Sequence, residues 1–257
     1  MTWEVINLIS YPSLVDAQSL KFANPDQENL RTLLLAKQND YDFASDGRSG
    51  NRSGGGSRSD CPDMTPPLTA LMPISNWGKT VIERPSFWFY VPYSPQQMPI
   101  GEFVLQREDD SEILRIPFQL PPETSGFVSF SIPPQAEGLE LNQWYRWYFN
   151  LYCDRQKSSS PILVEGWVQR VAIDPALQRE LNTATSRKDK VYADHFLWYD
   201  AVAHLAQLRL ANVSDETLAE DWTKLLQAKG VDLELPQEAP LIGSVVINGK
   251  EKNFGRD

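Results

Sequence analysis

The sequence predicts an α+β protein in which an antiparallel β-sandwich is followed by a C-terminal helical segment that packs on it. Short runs of alternating apolar and polar residues fill the middle of the chain, and a helical period replaces them after Ile173. Nineteen prolines also favour strands and loops over a helical bundle, while eight Trp, nine Tyr and eleven Phe suffice for a core. Because the helices follow the strands instead of alternating with them, a doubly wound fold is disfavoured.

The first 60 residues show little sign of a core. Residues 1–17 are mildly apolar and end at a junction, Leu14–Gln18, that is typical of signal-peptide cleavage, although no Lys or Arg precedes it. We interpret residues 1–17 either as the remnant of a signal peptide that starts upstream or as a native N-terminal segment. Residues 18–60 are predicted to be a flexible Gly/Ser/Arg-rich linker, whose arginines are either solvated or in contact with an anionic surface.

Residues 61–173 carry six predicted strands, a number typical of an immunoglobulin-like sandwich. They are Ser86–Val91, Glu102–Arg107, Glu112–Leu120, Phe127–Ile132, Trp144–Cys153 and Ile162–Ile173. Successive side chains of a strand point to opposite faces of its sheet. In the longest strand, the residues that share the predicted inward face are Tyr145, Trp147, Phe149, Leu151 and Cys153, and those opposite include Trp144, Arg146, Tyr148 and Tyr152.

Residues 174–235 are predicted to be helical. Asp174 is an N-cap followed by Pro175 at the first helical position, and Asp215 lies in a second capping sequence whose helix ends at Gly230. Between them, Lys188–Leu210 reads as one long helix that is apolar around most of its circumference, which predicts burial against the sheet or another helix. Residues 236–257 are predicted to form a loose tail, in which Gly243–Ile247 is a candidate short strand.

The chain has two cysteines, Cys61 and Cys153, too far apart in sequence for a C-x-x-C motif. In an exported protein one disulfide is the natural interpretation. It would close a long loop and stabilise the folded state by about 4 kcal/mol in the chain-entropy model. The alternative is a pair of buried free thiols. A disulfide would join the start of the sandwich to the end of its longest strand.

Several aromatic-rich segments resemble a known family. They are Cys61-Pro62, Leu68–Pro73, Glu83–Tyr93, Tyr145–Phe149, Glu165–Val171 and Trp198–Ala201. In this order they resemble the cyanobacterial family called domain of unknown function 928, over roughly residues 50–235. The resemblance implies a signal peptide in most members and no established activity or catalytic residues. Some members are encoded beside hemagglutinin-like secreted proteins and proteins with caspase-like domains, which implies a role in the envelope or in secretion.

Charge and motifs exclude several function classes. Twenty-four Lys and Arg against 34 Asp and Glu give a net charge of −10, which disfavours nucleic-acid binding because that binding depends on neutralising phosphates. No transmembrane span is predicted, and no phosphate-binding or dinucleotide motif predicts a cofactor. On one helix, His195 and His204 would point in opposite directions and could not share a metal, whereas Asp200 and His204 are spaced to pair.

Aromatic side chains occur on both faces of the predicted strands. The candidate binding residues on this basis are Trp88, Tyr90, Trp144, Tyr148 and Glu165. Flat aromatic surfaces stack on sugars or bind extended peptides. Alternatively, the helix Lys188–Leu210 covers this second face. Glu165 is either the carboxylate of a hydrolase or the partner of Arg146 or Arg170 in a buried ion pair, since a buried carboxylate needs such a partner.

Together these observations predict a non-enzymatic, exported interaction or structural module, located in the periplasm or outside the cell. Its partner would be an envelope protein, a secreted protein or a glycan. One alternative is a carbohydrate-binding module that uses the aromatic sheet residues, and another is a hydrolase centred on Glu165.

Overall fold

The computed structural model of the chain describes residues 41–54, 61–122, 125–236 and 238–247. Its strands are β1 (Ser53–Gly54), β2 (Leu68–Ala70), β3 (Trp77–Thr80), β4 (Ser86–Val91), β5 (Ile100–Arg107), β6 (Glu112–Gln119), β7 (Gly126–Ser131), β8 (Trp144–Tyr152), β9 (Ile162–Arg170), β10 (Leu241–Ser244) and β11 (Val246–Ile247). Its helices are α1 (Pro175–Thr183), α2 (Lys188–Asp194), α3 (Trp198–Ala211) and α4 (Glu216–Leu226). The six predicted strands correspond to β4 to β9, so the α+β class is confirmed.

The strands form two sheets that contain both antiparallel and parallel pairs. One sheet has the order β1-β2-β4-β7-β10, and the other has the order β11-β6-β5-β8-β9-β3. The pairs β3–β9 and β7–β10 are parallel. The pairs β5–β6, β5–β8 and β8–β9 are antiparallel. The prediction of a purely antiparallel sandwich is therefore wrong for these two pairs, because both join strands far apart in sequence. The immunoglobulin-like arrangement stays a prediction.

Aromatic rings pack between the two sheets. The ring of Phe89 on β4 stacks on Phe149 of β8 with 3.9 Å between the centroids, and Phe103 of β5 stacks on Phe130 of β7 at 4.0 Å. All four side chains are fully buried. Because alternate residues of a strand point to one side, the predicted inward face of β8 is the face that meets this core.

The helices cover the other side of the five-stranded sheet. On α4, the ring of Trp222 meets those of Trp88 and Phe127 edge-on, with 6.3 and 5.4 Å between centroids. Helix α3 packs on β4, and it also reaches the six-stranded sheet: the Tyr199 hydroxyl accepts a hydrogen bond from Trp147 Nε1 and donates one to the Trp167 carbonyl. The covering helix predicted from the aromatic excess was Lys188–Leu210. Its second half, α3, does pack on the five-stranded sheet, but the ring over Trp88 belongs to α4.

The predicted long helix Lys188–Leu210 is two helices, so that prediction is wrong. Between α2 and α3, Phe196 has a φ of 56°, in the left-handed region that ends a right-handed helix. The two predicted caps are confirmed. Asp174 accepts bonds from the amides of Ala176 and Leu177, and Asp215 caps α4 in the same way.

Part of the predicted linker is held on the body of the protein. We call residues 41–54 the strap. Phe43 is buried against Trp198, with 4.9 Å between the ring centroids, and its amide donates to the Lys229 carbonyl. The guanidinium of Arg52 donates to the carbonyls of Met72 and Val231. The prediction of a flexible linker is therefore wrong for the strap, because its partners lie far away in sequence.

The predicted loose tail also contributes structure. Strand β10 pairs with β7, and β11 pairs with β6 at the edge of the six-stranded sheet, so the prediction is wrong for Leu241–Ile247. The proposed signal-peptide remnant at 1–17, as well as residues 18–40 and 55–60 of the linker, lie outside the described residues. None of the helices in the described ranges is long and apolar enough to span a bilayer.

Candidate functional site

The outer side of the six-stranded sheet carries a cluster of aromatic and charged side chains on its last three strands. We call Trp77, Trp144, Tyr148 and Trp167 the aromatic face. On β8 and β9, Arg146 lies opposite Trp167, and Tyr148 lies opposite Glu165. On β3, Trp77 lies opposite Trp167, and its ring meets that of Trp144 edge-on at 5.6 Å. Alternation along three paired strands therefore brings these rings to one surface.

Two arginines lie over the rings of this surface. The Arg48 guanidinium is 3.8 Å from the centroid of Trp144 and 4.7 Å from that of Trp167. Arg146 lies 5.1 Å from the Tyr148 ring and 5.7 Å from Trp167. Each distance is within the range in which a cation is attracted to the face of an aromatic ring. These contacts fix the orientation of rings that remain partly exposed at Trp144 and Tyr148.

The strap supplies Arg48 and also holds the indole nitrogens. Trp77 Nε1 donates to the Asp46 carbonyl, and Trp167 Nε1 donates to the Ser49 carbonyl, both at 2.8 Å. The backbones of Asn51 and Glu165 exchange two hydrogen bonds. The polar edges of two tryptophans are thus satisfied by backbone, which fixes the half-exposed ring of Trp77 and the buried ring of Trp167 in one position.

Glu165 is engaged in an ion pair at the centre of this cluster. Its Oε2 accepts from Arg146 Nη2 at 2.8 Å, and the two side chains are only 15 and 24% exposed. The predicted partnership with Arg146 is confirmed, whereas Arg170 instead reaches the Leu139 carbonyl and lies 3.8 Å from Glu83. The pairing therefore engages Oε2 of this carboxylate at the centre of the cluster.

The surroundings of Tyr148 favour the neutral form of its hydroxyl group. Burial raises the pKa of the Tyr148 hydroxyl and Glu165 raises it further, whereas Arg146 opposes this change. The hydroxyl therefore remains a hydrogen-bond donor as well as an acceptor through the physiological range. Such a group can bind either a peptide carbonyl or a sugar hydroxyl.

The structure separates the five residues that the sequence singled out. Trp144, Tyr148 and Glu165 lie together on the six-stranded sheet. Trp88 and Tyr90 lie on the other sheet, 5 and 6% exposed, with Trp88 against Trp222 of the helical layer. These two side chains are unavailable to a ligand in solution, so they cannot form one binding surface with the other three.

The histidines lie in separate environments. His195 follows α2, with its Nε2 3.1 Å from Glu180 Oε2, whereas His204 on α3 has its Nδ1 3.6 Å from Asp189 Oδ1. The prediction that both lie on one helix is wrong. The suggested Asp200–His204 pairing is also wrong, because Asp200 bonds to Thr80 and Val81. Within the described ranges, no three His, Cys, Asp or Glu residues form a candidate metal site.

Three members of the cluster were not predicted from sequence. Arg48 lies in a segment whose composition indicates a solvated linker, and Trp77 lies on a four-residue strand that contains a glycine. Trp167 was not among the residues that the sequence singled out. Alternation along β9 places Trp167 and Glu165 on the same face, so this signal was available; no comparable pattern marks Arg48.

We expect Arg48→Ala to loosen the strap by about 1 kcal/mol, because it removes cation–π contacts with two indoles at a partly exposed site. Hydrogen exchange should accelerate at the amides of Arg48 and Asn51, which bond to Ser75 and Glu165. Arg155→Ala, on an exposed loop, is the matched control. Unchanged exchange at these two amides would contradict the prediction.

Comparison with known proteins identifies one family. The model of the family described as Domain of Unknown Function (DUF928) matches residues 53–241. This range includes β1 to β9, the four helices and the whole aromatic face, but it excludes Arg48, most of β10 and all of β11. A search of curated proteins finds no match.

Proposed function

Since this chain belongs to the Domain of Unknown Function (DUF928) family, we propose that it is a non-enzymatic interaction module whose aromatic face binds a partner protein. The observation that carries the proposal is the residue content of that face. Trp, Tyr and Arg are the residue types most enriched among those that dominate binding energy at protein interfaces. Here Trp144, Tyr148 and two arginines occur side by side on a sheet surface.

Preorganisation supports the same proposal. Association costs free energy whenever side chains at the interface must be ordered. The rings of Trp144 and Trp167 are already fixed by Arg48, and Arg146 is fixed by Glu165. A partner would therefore meet a surface whose large side chains lose little further freedom. The described helices pack on β3, β4 and β10, which leaves β8 to present its outer residues.

We further propose that the protein works outside the cytoplasm, in the periplasm or extracellular space. The Cys61–Cys153 disulfide supports this, because disulfides persist mainly in oxidising compartments. The test is the N-terminal residue and the free-thiol count of protein purified from its native cells. We expect a processed start and no free thiol. A start at Met1 together with two free thiols would contradict export.

The non-enzymatic part of the proposal rests on the state of Glu165. The carboxylate pairs of glycosidases work by keeping one member protonated and the other ionised. Here Arg146 engages Oε2 of Glu165, and the residues opposite it on the neighbouring segments are Tyr148 and Asn51, neither of which is a second carboxylate. If the hydrolase alternative were correct, Glu165→Gln would abolish an activity that the wild type shows.

A carbohydrate is the second candidate partner, and the spacing along β8 favours it. Trp144 and Tyr148 lie four residues apart on one face, about 13 Å from each other at the rise of a strand. Both are partly exposed, and aromatic rings stack on the apolar faces of sugars. An extended glycan could contact both rings at once.

Site-specific crosslinking distinguishes a protein partner from a glycan. A photoreactive phenylalanine analogue would replace Tyr148 in one variant and Val213, which is 87% exposed on the loop after α3, in the control. We expect the Tyr148 variant to capture one protein reproducibly from the envelope or secreted fraction, in competition with unlabelled wild type. Unlabelled Trp144→Ala should compete poorly.

Two results would contradict the protein-binding proposal. Equal capture at Tyr148 and Val213 would show that the aromatic face has no special role. Absence of capture, together with retention on immobilised polysaccharide that Trp144→Ala abolishes, would assign the face to a glycan instead.

A further inference from the structure

A cavity of about 450 Å³ lies beside the edge strand β3, under the strap and next to the start of α3. It is distinct from the aromatic face except for Trp77, which lines both. Its apolar wall includes Phe43, Pro73, Phe196 and Trp198, and its polar side chains are those of Asp42, Ser45, Ser75 and Lys79. Its volume lies in the range of pockets that bind small molecules.

The free polar groups of the cavity are hydrogen-bond donors. Ser75 is 2% exposed, and its hydroxyl has no hydrogen-bond partner in the part of the chain that the structure describes. Within the same ranges, Lys79 Nζ has no carboxylate within 4.0 Å, and its nearest aromatic contact is Trp77 at 5.9 Å. A ligand that supplies an acceptor would give both groups a hydrogen-bond partner.

The one carboxylate that lines the cavity is already occupied. Asp42 Oδ2 lies 2.6 Å from Lys229 Nζ, and its Oδ1 accepts from the Ala44 amide at 3.0 Å. The hydrogen bond from Lys229 and that from Ala44 lower the pKa of Asp42, so it stays ionised and paired. Asp42 therefore does not compete for Lys79, whose ammonium group is left for an anionic ligand.

The backbone at Phe196 is a second sign of a specialised site. This residue has a φ of 56°, a conformation that is strained for an aromatic residue, and its ring is 54% exposed. The ring contacts Phe43 edge-on, with 6.0 Å between centroids, at the cavity wall. A glycine would fit the backbone without strain, but it would remove this part of the cavity wall.

From these observations we propose that the cavity binds a small amphipathic carboxylate, one with a single aromatic ring or a branched apolar body, whose carboxylate is held by Lys79 and Ser75. The apolar body would lie against Phe43, Trp198 and Phe196. This site goes beyond the proposed function, because it takes a small molecule and the aromatic face takes a partner protein.

Two probes of equal shape test the proposal: 4-phenylbutyrate and the neutral 4-phenylbutan-1-ol. Their binding would be followed by the indole N–H resonances of the full chain, titrated at millimolar probe. Trp198 and Trp77 report on the cavity because both line it. Their indole N–H groups donate to the carbonyls of Leu71 and Asp46, respectively. Trp222, which packs on Trp88 and Phe127 and does not line the cavity, is the control. We expect phenylbutyrate to shift only the first two and to bind more tightly than the alcohol.

Charge and wall variants sharpen this test. Lys79→Met should lower the affinity for phenylbutyrate about tenfold, the effect typical of losing a hydrogen bond to a charged group. The affinity for the alcohol should not change. Lys79→Arg should restore most of the binding, and Lys224→Met on exposed α4 should have no effect. Phe196→Gly should lower the affinity for both probes, because it removes part of the cavity wall. It should also raise the melting temperature, because it relieves the strained backbone.

Three results would overturn the proposal. In the first, the indole resonances of Trp77 and Trp198 do not move with either probe. In the second, the wild type binds the acid and the alcohol with equal affinity. In the third, Lys224→Met loses as much affinity for the acid as Lys79→Met does. The Lys79 and Phe196 variants change different parts of the cavity. If one of them fails to fold, the other still tests the proposal.

Discussion

Replacement of both cysteines by serine is expected to lower the free energy of unfolding by about 4 kcal/mol. The disulfide joins residues 92 positions apart in sequence, so its loss releases a long loop in the unfolded chain. In the folded protein it ties Cys61 to Cys153, the residue that follows β8 in the six-stranded sheet. Because most of the effect arises in the unfolded state, the native spectrum should change little.

Equilibrium denaturation measures this effect. The double variant is compared with oxidised wild type, and each is measured with and without reductant. We expect reductant to destabilise the wild type by about the same amount and to leave the variant unchanged. Serine is a suitable replacement because Ser159 Oγ already lies 3.9 and 3.6 Å from the two sulfurs. Equal midpoints for the oxidised wild type and the variant would contradict the prediction.

The second large effect is a dependence of stability on the ionisation of Asp200. Burial raises the pKa of this carboxyl from 3.8 to about 7, although hydrogen bonds from Thr80 and from the Val81 amide partly oppose the increase. The side chain is 4% exposed, on the first turn of α3. It connects α3 to the edge strand β3, which makes it a structural contact between the helical layer and the sheet.

The sign of this effect follows from the direction of the pKa change. In the unfolded chain Asp200 is ionised above a pH of about 4, whereas in the folded protein it holds its proton until the pH approaches 7. The stability from its protonated form is fully present below the unfolded pKa and is lost as the pH rises through the folded pKa. The loss amounts to up to about 4 kcal/mol between these limits.

Asp200→Asn isolates this contribution. Asparagine is neutral at every pH, and its amide can donate to Thr80 Oγ1 while its oxygen accepts from the Val81 amide. We expect the variant to gain stability relative to the wild type between pH 4 and 8, as measured by denaturant unfolding. The exposed Glu234→Gln is the control and should follow the wild type. Parallel pH profiles for the wild type and Asp200→Asn would show that Asp200 stays ionised in the fold.

Local sequence signals predicted much of this fold. The alternation along β8 identified its buried face residue by residue, with Trp147 and Phe149 in the core and Trp144 and Tyr148 outside. The caps at Asp174 and Asp215 were equally clear. Each of these signals is contained in a few neighbouring residues, because side-chain direction in a strand and the first amides of a helix depend on local geometry.

The candidate site was only partly predictable. Trp144, Tyr148 and the pairing of Glu165 with Arg146 followed from alternation and from the cost of burying a charge. Arg48 did not, because its segment has the composition of a flexible linker and is held by contacts with Ser75 and Glu165, far along the chain. The break at Phe196 was also invisible, since nothing in the local sequence requires a left-handed residue there.

The sequence by itself determined which residues share a face, where two of the helices begin, and which two cysteines are present to pair. Only the tertiary structure decided what covers each set of aromatic rings: a helix lies on Trp88, while the strap and its arginine lie on Trp144 and Trp167. The physical reason is that alternation in a strand depends on adjacent peptide units, whereas a covering segment arrives through long-range packing, which no local pattern specifies.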